Sequence, residues 1–100
     1  MIVEFEAELW VWDARRSETW TFVSLPEEDS EAIRALTAGL ARGFGSLRVR
    51  ASIGGSTWTT SIFPGGGGGP YVLPVKKAVR RAERIEPGDV TAVAVELVDM

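Results

Sequence analysis

Cysteine and histidine are both absent from the chain, and each absence closes off a class of chemistry. Without cysteine there is no disulfide scaffold, no thiol nucleophile and no zinc knuckle. Without histidine the usual general base at neutral pH is missing, so a Ser-His-Asp arrangement is excluded. Any catalysis would rest on carboxylates, lysine, arginine or tyrosine, and the expectation is a non-enzymatic protein with no cofactor and no metal. No apolar stretch approaches the length that spans a bilayer. The opening residues Met1-Ile2-Val3-Glu4-Phe5-Glu6 alternate apolar with acidic and carry no positive n-region, so they read as a strand and not as a signal peptide. A cytoplasmic protein without membrane association is expected. Positive charge is in deficit: the net charge of −3 and a pI near 4.9 disfavour nucleic acid as a partner. A local positive field is a separate matter, because phosphate binding needs only that.

What is present makes one mostly-β domain over residues 1–100, since 100 residues is near the common domain size. Val3, Phe5, Ala7, Leu9 and Val11 share one face of a strand over 3–12, with Glu4, Glu6 and Glu8 on the other. Trp10 and Trp12 continue the acidic face. Residues 13–18 turn the chain, and Thr19 to Leu25 returns as a β-branched, aromatic-rich strand. After Pro26 a helix is expected, capped by Asp29 or Ser30, with Ile33, Leu36 and Leu40 as its buried stripe and Gly39 and Gly43 as its stop. Leu47–Ile53, the turn Gly54-Gly55 and Ser56–Phe63 form a second hairpin with a two-residue loop. Pro64 and the glycines 65–69 make a flexible break, and Tyr71-Val72-Leu73 is a short strand. Pro74 suits the first position of a helix that turns Val75, Val79 and Ala82 inward and ends near Ile85. Glu86-Pro87-Gly88-Asp89 is a tight turn, and Val90–Val98 is the last strand.

Several groups invite a functional reading. Lys76, Lys77, Arg80, Arg81 and Arg84 recur at helical spacing with only Glu83 among them, which makes a basic surface or simply a solvated face. Trp58, in a run of hydroxyls, can line a small pocket with Arg48 or Arg50 from the paired strand and Tyr71 beyond the loop. For Trp58 alone, core packing is the plainer account. Trp10 and Trp12 either stack on Trp20 or Phe22 or form an exposed patch for a partner or a second copy. Glu4, Glu6 and Glu8 resemble a carboxylate site only superficially, because a face opposite a core face points to water. The glycine run lacks the Gly-Lys-Ser/Thr end of a P-loop and is not expected to cradle phosphate.

Three blocks carry a resemblance: Phe5…Leu9 leading to Trp20…Val23-Ser24-Leu25-Pro26, Val49…Ile53-Gly54-Gly55…Trp58-Thr59-Thr60-Ser61…Pro64, and Tyr71-Val72-Leu73-Pro74-Val75-Lys76…Val79-Arg80…Ile85…Pro87-Gly88-Asp89-Val90. Together they resemble a bacterial and archaeal domain-of-unknown-function family of this length, sometimes associated with a bacteriocin-protection domain. The resemblance implies a small closed β-barrel of the double-split type with two short helices, and no reaction or cofactor. The long glycine run departs from that family's pattern. The segment from Leu73 to Val90 also resembles a unit of swapped-hairpin transcription regulators and antitoxins, which bind DNA as dimers.

The expectation is thus a binding module for a small anionic molecule or a protein, as monomer or dimer, acting through the 64–71 loop and the helix 74–84. Arg48, Trp58, Tyr71, Lys76 and Arg80 are its candidate ligand-binding residues. A dimeric DNA-binding protein is the first alternative, and an enzyme working without histidine or cysteine the second.

Overall fold

The N-terminal run does not stay in one sheet. In the computed structural model, which describes residues 1–12, 20–38 and 45–98, it divides at Leu9 into β1 (Ile2–Glu8) and β2 (Trp10–Trp12). Leu9 is buried, its N–H donates to the Asp89 carbonyl at 2.9 Å, and its own carbonyl accepts from the Gly88 N–H at 2.8 Å. The turn before the last strand therefore stitches the point where the chain changes partners. The order continues with β3 (Trp20–Ser24), α1 (Glu27–Leu36), β4 (Leu47–Ile53), β5 (Ser56–Ile62), β6 (Val72–Pro74), α2 (Lys77–Glu83) and β7 (Val90–Leu97). A short 3₁₀ turn at Gly66–Gly68 lies between β5 and β6. The expected turn over 13–18, Leu40, Gly39 and Gly43 fall outside the described residues.

The strands form two antiparallel sheets, ordered β1-β7-β4-β5 and β2-β3-β6. The fold is mostly β, with seven strands and two helices among the described residues. Where a closed barrel is expected, no continuous ladder joins the sheets among those residues; β5 and β6 meet at a single bridge, Phe63 opposite Val72. One core serves both sheets. Val23, Leu25, Ile33, Val49, Ile62, Leu73, Val75 and Val95 are among its fully buried members. No helix among the described residues is long and apolar enough to cross a membrane.

Several boundaries differ from expectation for identifiable reasons. Helix α1 begins at Glu27 with Pro26 as its cap, neither Asp29 nor Ser30. Ser30 is buried, and its Oγ accepts the Tyr71 N–H at 3.0 Å, which fixes it inside the helix. Leu36 is 50% exposed; the inward place one turn after Ile33 goes to Thr37, buried with its Oγ1 donating to the Ile33 carbonyl at 2.7 Å. Pro74 ends β6, opposite Phe22, and does not begin α2. Val75 and Val79 are buried as expected, but Ala82 faces solvent, and the helix stops at Glu83, where Arg84 adopts a left-handed conformation.

Candidate functional site

The site arises from a missing hydrogen-bond donor. Phe63 and Val72 exchange both backbone bonds, at 3.0 and 2.8 Å. Continuing that antiparallel register places Ser61 opposite Pro74, and proline has no N–H to give. The ladder ends there and the chain turns away into α2. On the other side of β5, Ser56 pairs with Ile53 across the two-residue turn. Alternation then directs the main-chain groups of Ser56, Trp58, Thr60 and Ile62 toward β4, and those of Thr57, Thr59 and Ser61 toward the open edge.

A groove of about 530 Å³ occupies the gap between that edge and the β6–α2 junction. Trp58 forms its apolar floor, with Trp20 and Pro74 beside it, and Lys76, Lys77 and Arg80 supply positive charge on its rim. Arg80 is held by donation from its Nε to the Val75 carbonyl at 3.2 Å. Thr21 also lines it. Thr21 is 3% exposed, and its Oγ1 has no hydrogen-bond partner. A buried hydroxyl without a partner is uncommon and costs stability.

The sequence-derived candidates divide between places. Trp58, Lys76 and Arg80 meet in this groove. Arg48 does not, since strand alternation puts Trp58 on the core face and Arg48, opposite Ser61, on the outer face. Arg50 shares that outer face and pairs with Glu96 at 3.1 Å. Tyr71 is buried against α1, where the Arg34 guanidinium lies 5.2 Å above its ring. The same Arg34 donates to the Gly69 carbonyl, so the glycine run is tied down as a turn. At Gly65 a Cβ would collide with the Pro70 carbonyl, which explains the glycine there.

Of the five basic residues on α2 and its flanks, Lys77, Arg80, Arg81 and Arg84 surround a second groove of about 380 Å³ with Glu86 and Asp89. Glu83 turns away from them. Its carboxylate accepts the Gly55 N–H at 3.2 Å and the Ser56 hydroxyl at 2.6 Å, clasping the β4–β5 turn. Glu4, Glu6 and Glu8 are exposed on the outer face of the larger sheet.

A third groove, about 460 Å³, opens on the outer face of β2-β3-β6 and is lined by Trp12, Trp20, Phe22, Phe63, Pro64 and Gly65, among others. Trp20 and Pro74 border both this groove and the cationic one. Trp10 is half-buried, 5.1 Å from the Phe22 ring with its indole N–H donating to Ser24 Oγ at 3.0 Å. Trp12 is 55% exposed. The two alternatives for this pair thus hold one each: Trp10 packs, Trp12 is offered to solvent.

Trp20 and Thr21 are the residues that reading the sequence missed. The signal for Thr21 was its parity: it shares the inward face with Val23 and Leu25, where a hydroxyl needs a reason.

Among known families, the model described as "Domain of unknown function (DUF1905)" matches residues 5–95. No curated protein matches the chain.

Proposed function

The chain belongs to the DUF1905 family, a description that assigns no activity, and we propose on its own geometry that it is a binding module for small anionic molecules. The anionic group sits against Lys76, Lys77 and Arg80, and its apolar body rests on Trp58 and Trp20. The observation that carries this reading is the convergence of three cations, Lys76, Lys77 and Arg80, on a groove walled by Trp58 and Trp20. Ligand sites characteristically combine apolar walls with a few converging polar groups. The same reading takes the two sheets as one barrel split at this groove, supported by the shared β1–β2 run and the single Phe63–Val72 bridge. The 64–71 loop contributes to the neighbouring apolar groove through Pro64 and Gly65.

Titration of the protein's tryptophan fluorescence with phenyl phosphate at low salt tests the proposal. A saturable change is expected. Arg80→Ala should weaken it about tenfold, the range for a charge-assisted hydrogen bond. No saturable response to phenyl phosphate or inorganic phosphate would remove the anion-site reading.

A further inference from the structure

Four aromatic side chains lie together on the outer face of β2 and β3. Register pairs Trp10 with Phe22 and Trp12 with Trp20, so alternation brings all four to one side. Phe63 adds a fifth ring across the bridge to Val72. The solvent face of an antiparallel sheet is ordinarily polar; here Trp12 and Trp20 are each 55% exposed and Phe63 42%. Trp20 and Phe22 lie nearly parallel, 15° apart in plane and 6.4 Å between centroids.

This face is continuous with the positive charge. Trp20 and Pro74 border both the aromatic groove and the groove rimmed by Lys76, Lys77 and Arg80, beyond which Arg81 and Arg84 share a further groove with Glu86 and Asp89. Glu83, the one acid within α2, is engaged with the β4–β5 turn and does not offset it. The overall net charge of −3 is no objection, because Glu4, Glu6 and Glu8 lie on the outer face of the other sheet.

Exposed rings beside a row of cations fit one chemistry: unstacked bases joined by phosphodiesters. We propose that the aromatic face of β2–β3 and the cations of the β6–α2 junction form one platform for single-stranded nucleic acid. Bases stack on Trp12 and Trp20, and backbone phosphates follow Lys76, Lys77 and Arg80 toward Arg81. The proposal rests on the groove being an anion site and names its ligand class. A duplex keeps its bases stacked inside and offers the rings nothing. A second copy seated on the aromatic face would bring two basic helices near each other. An acidic peptide would satisfy the cations and leave the rings bare.

The test is tryptophan quenching by an oligothymidylate of about ten nucleotides, within the usual footprint of small single-strand-binding domains, with an oligouridylate of equal length in parallel. Saturable binding of either is expected, tighter than that of phenyl phosphate. The logarithm of the affinity should fall with the logarithm of salt concentration with a slope of roughly −2 to −3, from about −0.7 for each of three to four phosphates. Trp12→Ala and Trp20→Ala should each weaken binding about fivefold or more, with circular-dichroism melts confirming that both fold, while phenyl phosphate binding to Trp12→Ala stays unchanged. Oligonucleotides binding no tighter than phenyl phosphate would remove the platform and leave the anion groove standing; no response to either would remove both. Tighter binding to a duplex of the same length overturns the proposal. So does polyglutamate binding as well as the oligonucleotides, or self-association of the free protein that Trp12→Ala abolishes.

Discussion

Thr21 and Ser30 show two fates of a hydroxyl in an apolar interior. Ser30 is buried with its Oγ taken up by the Tyr71 amide. Removing it leaves a buried N–H unmet, so Ser30→Ala should cost about 1–3 kcal/mol, read as a lower midpoint in urea unfolding. Thr21 is equally buried, and nothing within the protein uses its Oγ1. Thr21→Val exchanges that hydroxyl for a methyl of similar size. It should stabilise the free protein by about 1 kcal/mol, the penalty for an unmet hydroxyl being of that order, read as a higher midpoint in urea unfolding. A Thr21→Val protein with a lower midpoint would show that the hydroxyl has a partner in solution. Reading the sequence placed Trp58, Lys76 and Arg80 among the site candidates, because an aromatic and clustered cations are visible as residue types. It misplaced Arg48 and Tyr71. A pocket is made by strand parity and the path of the chain, and Arg48 has the wrong parity beside Trp58.

Strands and turns were legible where alternation or glycine chemistry is strong. The β4–β5 hairpin, its Gly54-Gly55 turn and the Pro87-Gly88-Asp89 turn lie where the residues demand. In the latter, Asp89 Oδ2 accepts the Glu86 N–H at 2.8 Å. Helix ends were less legible, because both were decided by distant partners: Tyr71 for Ser30, and the sheet register for Pro74. Gly54 illustrates how two segments constrain one position. Its φ is +57°, and a Cβ there would strike the Glu83 carboxylate. Gly54→Ala should therefore cost more than the left-handed penalty alone, about 1–2 kcal/mol. It should also release Glu83 from Ser56, turning the one acid of α2 toward its cations. Ser56→Ala tests the clasp separately. In a double-mutant cycle with Glu83→Gln the two changes should fail to add, and additivity would show that the clasp contributes nothing.

One core joins both sheets and both helices, with Leu9 at the point where the N-terminal run passes between them. Unfolding should consequently be a single transition, with far-ultraviolet dichroism and tryptophan fluorescence superimposable; separate midpoints would mean that the smaller sheet opens by itself. Composition and patterning made the mostly-β, two-helix outline readable. The division into two sheets was not readable, because it depends on a missing donor at Pro74 and on a strand that changes partners. The pairing of β1 with β7 has a further consequence, for biosynthesis. Ile2 lies opposite Glu96, and β7 also supplies the partner of β4. On a ribosome adding about 5–20 residues per second, the first strand has no lasting partner until β7, about ninety residues later, has emerged. Until then the nascent chain carries the open edges of β1 and β4, and a chain cut short before or within β7 would leave them open permanently. Such truncations should accumulate in the insoluble fraction of expressing cells, whereas single substitutions in the grooves should not.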